Sequence, residues 1–213
     1  SAVDINSVTM ANGSSLISNS TFSGNITYNR NLATTNWYLV SSPVVGQTYN
    51  DAYVTANGIA SGTGSNRGIA SYVTSDDSWD YMQAGESFPF TPGFGYSVKR
   101  STTGDVSFTG TMPVDNVSIA ITNGYNLVGN PYPSYIAANT NADSANILTV
   151  NNSILSEATL WMWNQSSSSY DVINQGSSSM DIAPAQGFFM KTSGNNTLSI
   201  TEAMQSHQSS DSF

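Results

Sequence analysis

The sequence contains two copies of one unit, and this internal repeat limits the possible folds more than any other feature. The copies align in three blocks without internal gaps. The first residues of matching blocks are 88, 91 and 92 positions apart. The matching blocks are residues 36–43 with 124–131, 69–82 with 160–173, and 92–112 with 184–204. Such self-similarity indicates one structural unit used twice. Positions that both copies keep are expected to belong to the scaffold, and positions that only one copy keeps are better site candidates.

Both copies carry strand signals along most of their length. β-branched and aromatic residues alternate with polar ones at residues 37–40 and 106–109, and again at the matching positions of the second copy. Clusters of Gly, Asn, Pro and Ser separate these runs. Residues 102–105 and 194–197 are predicted to be hairpin loops. Helix signals are nearly absent, and only residues 144–155 could hold one short helical turn.

We therefore predict an all-β fold, a β-sandwich built from two pseudo-equivalent repeats, each of about six strands. A unit that small has unpaired edges and an apolar face to cover, so the two repeats are expected to pack together. The predicted division is lead-in strands at 1–24, a first β repeat at 25–112, a second at 113–204 packed with the first as one domain, and a polar tail at 205–213.

The composition excludes several classes of function. Charged residues make up only 9% of the chain, the formal net charge is −9, and only five residues are Lys or Arg. A surface of this charge repels phosphate backbones and anionic membranes, so we expect no nucleic-acid partner. No run approaches the roughly 18 apolar residues that span a bilayer, so we expect no membrane insertion. The absence of cysteine excludes a disulfide scaffold, a thiol nucleophile and a thiolate metal site.

Aromatic residues in one paired segment are the best candidates for a binding site. On a strand, Trp161 and Trp163 point to the same face, as do Trp79 and Tyr81. Flat rings in a row suit stacking against sugar rings, and neighbouring polar side chains can bind hydroxyl groups. The alternative is that these rings belong to the core, since aromatic residues dominate β cores. The predicted carbohydrate-binding residues are Trp79, Tyr81, Trp161, Trp163 and Tyr170 for stacking, with Asp80, Asn164 and Gln165 for hydrogen bonds.

The cations matter if the glycan is anionic. Arg67, Lys99, Arg100 and Lys191 are then the candidates near the repeats, and Arg67 and Arg100 are preferred because arginine offers the better fork of donors. The acidic net charge favours a neutral glycan instead.

Catalysis and metal binding find little support in the sequence. The only histidine, His207, lies in the polar tail outside the repeats, which leaves no arguable Ser-His-Asp set. Glycosidases commonly need two facing carboxylates, and no recognisable pair at strand ends occurs. The acidic run at residues 76–80 could bind calcium, but it fits no EF-hand loop and reads better as a solvated turn. We expect no catalytic residues, no metal and no cofactor.

Several blocks resemble a repeated β module of secreted surface proteins and polysaccharide-degrading enzymes of Bacteroidetes, which export such proteins by type IX secretion. The residues that carry the resemblance are 24–30, 36–43, 124–133 and 182–189. It implies a secreted or cell-surface location and a longer parent chain with catalytic or surface domains. No family-wide catalytic residues come with it.

The leading hypothesis is a non-catalytic carbohydrate-binding module of a secreted multidomain polysaccharide-degrading enzyme, with a polysaccharide as its ligand. The alternative is a structural spacer or adhesin module with no small ligand, in which the aromatic rings would be core. The exposure of Trp161 and Trp163 is the feature that distinguishes the two hypotheses most cheaply.

Overall fold

The computed structural model describes residues 7–18, 20 and 22–208, and nearly all of its regular structure is β. The strands before the second copy are β1 Ser7–Met10, β2 Asn25–Leu32, β3 Trp37–Ser41, β4 Thr48–Asn50, β5 Asn66–Val73, β6 Ser78–Gln83, β7 Ser87–Pro89, β8 Gly95–Lys99 and β9 Gly104–Thr111. The later strands are β10 Val117–Ile121, β11 Gly124–Gly129, β12 Tyr135–Ala137, β13 Leu155–Asn164, β14 Ser169–Asn174, β15 Asp181–Ile182, β16 Gly187–Thr192, β17 Asn196–Ile200 and β18 Gln205–Ser206. Two short α-helices, α1 Asp51–Ala56 and α2 Ile147–Val150, and a 3₁₀ turn at Glu202–Met204 complete the elements.

The two halves, residues 25–112 and 113–204, pair their strands in the same pattern. The first half has an antiparallel sheet in the order β3-β8-β5-β6, and the second has β11-β16-β13-β14. The pair β2–β9 of the first half corresponds to β10–β17, and β4–β7 corresponds to β12–β15. Two strands lie outside this pattern, because β1 runs parallel to β2 and β18 pairs with β12.

Each half encloses its own apolar core between a four-stranded sheet and a strand pair. In the first core, Tyr28 and Phe108 from β2 and β9 pack with Ile69 and Val98 from the four-stranded sheet. In the second core, residues of β10 and β17 pack with residues of β11, β13 and β16. Strand alternation leaves the other face of each four-stranded sheet outside these cores. This arrangement confirms the predicted all-β, sandwich-like fold.

The helices occupy equivalent places and begin with the same kind of cap. The side chain of Asn50 accepts a hydrogen bond from the backbone N–H of Tyr53 at 3.0 Å, and Asn146 accepts one from Thr149 at 2.8 Å. Asparagine is among the strongest N-cap residues because its side-chain oxygen satisfies a free amide of the first turn. The α2 helix lies within the region predicted for a helical turn, whereas α1 had no sequence prediction.

The halves contact each other through reciprocal backbone bonds. Ser41 donates its N–H to the carbonyl of Ala185 at 3.0 Å, and Gly129 donates to Gly93 at 2.9 Å. Gly129 is the copy of Ser41, and Ala185 is the copy of Gly93, so the second bond repeats the first with the halves exchanged. The bridges Val40–Gln186 and Val128–Phe94 are related in the same way. Such reciprocity is what a twofold relation produces, although superposition of the halves stays a prediction.

Glycine permits this close approach. A Cβ atom at Gly95 would lie 2.7 Å from the carbonyl oxygen of Val128, and one at Gly187 would lie 3.0 Å from that of Val40. Gly187 is the copy of Gly95, and Val128 is the copy of Val40. Both copies have glycine at this position because the backbone of the other half occupies the space that a side chain would need.

The prediction of hairpin loops at residues 102–105 and 194–197 is wrong. Strand β8 lies inside its sheet, with both edges taken by β3 and β5, so β9 cannot pair with it and pairs with β2 instead. The same holds for β16 and β17. In both halves the connection crosses from the four-stranded sheet to the opposite layer of the sandwich.

One short strand lies outside the halves at each end of the described chain, β1 before the first half and β18 after the second. Strand β1 lies within the region predicted to hold lead-in strands, residues 1–24, whereas residues 15–17 form no strand. The tail begins with β18, and its residues 209–213 lie outside the described residues. In the part of the chain that is described, no helix is long and apolar enough to cross a membrane.

Candidate functional site

The outer faces of the two four-stranded sheets share one surface, which we call the aromatic face. Alternation along β13 places Leu160 and Met162 in the second core and turns Trp161 and Trp163 to the opposite side. Leu39, Leu127 and Phe189 form the buried floor of this face. Its ring-bearing residues are Trp37, Tyr72, Trp79, Tyr81, Tyr125, Trp161, Trp163, Tyr170 and Phe189.

A first cleft of about 380 Å³ opens on the aromatic face. Its walls include Tyr125 and Trp161, whose ring centroids are 5.3 Å apart in an edge-to-face contact. Tyr72 meets Phe189 in the same way, with centroids 4.9 Å apart. The full lining is Tyr72, Asp77, Trp79, Tyr125, Trp161, Tyr170 and Phe189. Its size lies in the range of sites for small ligands.

A second cleft of about 260 Å³ lies beside the first. Trp37 and Tyr81 form one wall, with ring centroids 5.7 Å apart, and Trp163 contacts Tyr170 at 5.1 Å. The full lining is Trp37, Leu39, Trp79, Tyr81, Ser97, Trp163 and Tyr170. Trp79 and Tyr170 therefore line both clefts.

The exposure of the rings fits neither a sealed core nor a fully solvated surface. Tyr170 is 41% exposed and Tyr125 is 39% exposed. Trp79, Trp161 and Trp163 are half-buried and rest against the floor residues. Each of these rings has packing on one side and some surface left for water or a ligand on the other.

Polar atoms at the first cleft are concentrated around Tyr72. Its hydroxyl donates a hydrogen bond to the carboxylate of Asp77, which sits in the turn between β5 and β6 with φ of 50°. Burial raises the pKa of Tyr72, and the hydrogen bond to Asp77 raises this pKa further. Burial also raises the pKa of Tyr170. Both phenols are therefore neutral hydrogen-bonding groups at physiological pH.

Each cleft has a lysine beside one of its aromatic walls. The Lys99 ammonium lies 5.9 Å from the ring centre of Trp37, and the Lys191 ammonium lies 5.1 Å from that of Tyr125. These are cation–π distances. Lys191 also forms an ion pair with Glu157 at 3.7 Å, whereas Lys99 has no ion-pair partner among the described residues.

The structure brings the five predicted stacking residues together on the first and second clefts. The three predicted hydrogen-bonding residues line neither of these clefts, although Asn164 and Gln165 lie beside Trp163 in a neighbouring cleft of about 400 Å³. Asp80 lies between Trp79 and Tyr81 on β6 and therefore points away from the aromatic face, toward Tyr49 and Glu86. Asn164 donates to Asp171 at 2.9 Å and caps the turn after β13.

The third predicted hydrogen-bonding residue, Gln165, belongs to the second half, and its side chain forms hydrogen bonds with the first half. Its side-chain amide donates to the backbone carbonyl of Trp37, and its side-chain oxygen accepts from Asn36 at 3.3 Å. Thr74, the copy of Gln165, also reaches the other half, where its hydroxyl donates to the side-chain oxygen of Asn126 at 3.4 Å. The loop between β5 and β6 and the loop between β13 and β14 thus help to hold the halves together, and Gln165 has a structural role.

The two predicted arginines lie outside both clefts. Arg67 forms an ion pair with Asp51 at 3.4 Å, and Arg100 donates to the carbonyl of Asn57 at 2.7 Å. Sequence reasoning missed four ring-bearing residues of the two clefts: Trp37, Tyr72, Tyr125 and Phe189. A signal existed for two of them, because Trp37 and Tyr125 occupy matched positions two residues before Leu39 and Leu127.

Other chemistry is sparse. Among residues 7–18, 20 and 22–208, no group of three or more His, Asp or Glu side chains could hold a metal ion. In the acidic run, Asp77 is engaged by Tyr72 and Asp76 donates its backbone N–H within the turn. His207 contacts the Ser15 hydroxyl at 2.6 Å in an exposed position, a pairing that the sequence did not suggest.

Comparison of the chain with protein-family models, with curated proteins and with solved structures finds no match.

Proposed function

We propose that this chain is a non-catalytic carbohydrate-binding module, and that it binds a polysaccharide on the aromatic face. The observation that carries the proposal is the half-buried state of Trp79, Trp161 and Trp163 around open clefts. A ring that is packed on one side is held rigidly, so it loses little conformational entropy when a ligand stacks on the other.

The chemistry of the clefts suits sugar rings. The C–H edges of a pyranose are apolar and meet the π face of Trp or Tyr without any need for charge, while the hydroxyl groups need hydrogen-bonding partners at the margin. The Tyr72 and Tyr170 phenols and the Asp77 carboxylate offer such partners in the first cleft. An aliphatic ligand would leave these polar groups without partners.

The charge of the surface favours a neutral glycan. The formal net charge of −9 opposes a polyanionic ligand, and one of the two lysines at the clefts is already paired with Glu157. Asp77 adds a negative charge to the first cleft. Arg67 and Arg100 contact neither cleft, so they do not contribute to the proposed site.

The resemblance of the repeats to secreted Bacteroidetes modules supports the wider setting that we propose. The chain would be one part of a secreted or cell-surface polysaccharide-degrading protein, and the catalytic or surface domains of that parent chain would be its covalent partners. The module would keep those domains close to an insoluble substrate. Purified protein that releases reducing sugar from the polymer would contradict the non-catalytic assignment.

A structural spacer or adhesin module is the second candidate, and one observation favours it. The rings contact each other edge to face, and Leu39, Leu127 and Phe189 beneath them are buried, so the aromatic face also helps to join the halves. In that case the rings would stabilise the fold and would bind no glycan.

Affinity electrophoresis separates the two candidates. The protein is run through native gels that contain hydroxyethyl cellulose, laminarin, xylan, galactomannan or carrageenan. We expect retardation in at least one neutral polymer and its loss in Trp161→Ala. The copy of Trp161 is Ala70, so the scaffold already accepts alanine at this position in one half.

The matched control is Phe88→Ala, which removes an exposed ring on β7 outside both clefts. Its mobility in the polymer gel should equal that of the unmodified protein. Unchanged mobility of the unmodified protein in all five polymers would contradict the proposal and favour the structural module.

A further inference from the structure

We propose that the two clefts form one continuous site that holds an internal stretch of a single glycan chain. This inference rests on the proposed function and specifies its ligand as a polymer segment rather than a chain end or a free small sugar. Both clefts are open to solvent along the same aromatic face.

Shared residues make the clefts one surface. Trp79 and Tyr170 belong to the lining of both, and Phe189 lies within 6.3 Å of Trp79 and 5.9 Å of Tyr170, measured between ring centroids. A ligand in one cleft therefore touches the same rings as a ligand in the other. Two separate molecules would compete for these rings, whereas one chain that passes over them would use both clefts.

The internal repeat explains why there are two clefts. Tyr125, Tyr72 and Trp79 of the first cleft are the copies of Trp37, Trp163 and Tyr170 of the second, by the block offsets. The contact between Tyr72 and Trp79, with centroids 5.4 Å apart, corresponds to that between Trp163 and Tyr170 at 5.1 Å. The two clefts are thus the same site built twice around the junction of the halves.

The copies have diverged at the positions that shape the clefts. Phe189 in the first cleft corresponds to Ser97 in the second, and Trp161 corresponds to Ala70. The first cleft is consequently richer in rings. A polysaccharide has a direction, so two unequal subsites in a row fit one chain in one orientation better than they fit two equivalent ligands.

One wall of the second cleft also carries a buried polar group for which the described residues provide no partner. The indole N–H of Trp163 is buried and finds no acceptor among the described residues. Buried donors nearly always have a partner, and each exception calls for an explanation. Trp163 is a wall of the second cleft, so a glycan hydroxyl or ring oxygen that reaches this N–H after a small turn of the ring would supply the acceptor.

The test uses isothermal titration of the whole protein with oligosaccharides from disaccharide to octasaccharide. The series is cello-, laminari-, xylo- or manno-oligosaccharides, according to the polymer that retards the protein. We expect one chain to bind per protein molecule, and affinity to rise with chain length until both clefts are filled.

Two variants alter the second cleft alone. Trp37→Ala removes a wall, and Tyr81→Val places the residue of the other copy, Val172, at the matched position. Each should lower the affinity for the octasaccharide about tenfold, which corresponds to one lost ring contact. The Tyr81→Val variant keeps a good strand former, so it tests the site even if Trp37→Ala fails to fold.

The outcomes separate this inference from the proposed function. Two chains bound per protein, or an affinity that does not depend on length, would overturn the continuous site and leave glycan binding intact. Unchanged octasaccharide affinity in Tyr81→Val would confine binding to the first cleft and would also overturn it. Absence of binding to every oligosaccharide and polymer would reject both.

Discussion

The reciprocal junction of the halves predicts a specific cost for one added methyl group at Gly95. In Gly95→Ala, the new Cβ would lie 2.6 Å from Cγ of Leu127 and 2.7 Å from the carbonyl oxygen of Val128. Ordinary contacts of a Cβ atom begin near 3.4 Å, so the second half must shift by several tenths of an ångström. Overpacking of this kind costs about 1–3 kcal/mol.

A Gly→Ala change also reduces the conformational entropy of the unfolded chain, which stabilises the folded protein by about 0.4–1 kcal/mol where the backbone conformation suits alanine. The expected net loss of stability is therefore about 1–2 kcal/mol, which for a chain of this size lowers Tm by about 2–8 °C. Urea unfolding followed by tryptophan fluorescence measures it. The method reports on the junction because all four tryptophans lie on the aromatic face.

Gly176→Ala is the matched control, since Gly176 is exposed and its nearest neighbour would be 3.4 Å from the new Cβ. It should be as stable as the unmodified protein or slightly more stable. If Gly95→Ala were equally stable, the close approach of the halves at this glycine would be wrong, and with it the explanation of why both copies keep glycine.

Three further predictions concern single groups. Asp77→Asn should lower the pKa of Tyr72, which absorbance titration of the phenols measures, with Tyr72→Phe to identify the signal of this residue. In the unmodified protein the folded state holds the Tyr72 proton more tightly than the unfolded chain does. The stability of the unmodified protein should therefore fall as pH rises above about 10. Asn146→Ala should cost about 1–2 kcal/mol in urea unfolding, since it removes the N-cap of α2, and an unchanged midpoint would contradict the capping role. Lys99→Ala should leave retardation in neutral polymers unchanged, whereas lost retardation would show that the ammonium group of Lys99 beside the Trp37 ring contributes to binding at the second cleft.

Much of the fold was accessible from the sequence because it depends on local alternation. The period-2 pattern of Trp161 and Trp163 placed them on one face, and the structure confirms that placement. The same rule puts Asp80 opposite its neighbours Trp79 and Tyr81, so its assignment to the site was inconsistent with the pattern itself. The shared face of these rings was predictable for this reason, and the positions of their polar neighbours were not.

Features that depend on contacts between the halves had no local signal. Gly95 and Gly187 make room for the backbone of the other half, and no pattern within one strand shows that the other half lies there. Gln165 was expected to bind sugar, but it bonds to the Trp37 carbonyl across the junction. Likewise, β9 pairs with β2 far along the chain rather than with the preceding strand, which no turn signal could reveal.

The central claim is that a glycan binds on the aromatic face, and intrinsic tryptophan fluorescence tests it most directly. Trp37, Trp79, Trp161 and Trp163 are the only tryptophans, and every one lines a cleft. Titration with the polymer that retards the protein should give a saturable change in emission, and Trp161→Ala should weaken that change. Retardation by a polymer that leaves the emission of all four tryptophans unaltered would place binding elsewhere and contradict the account.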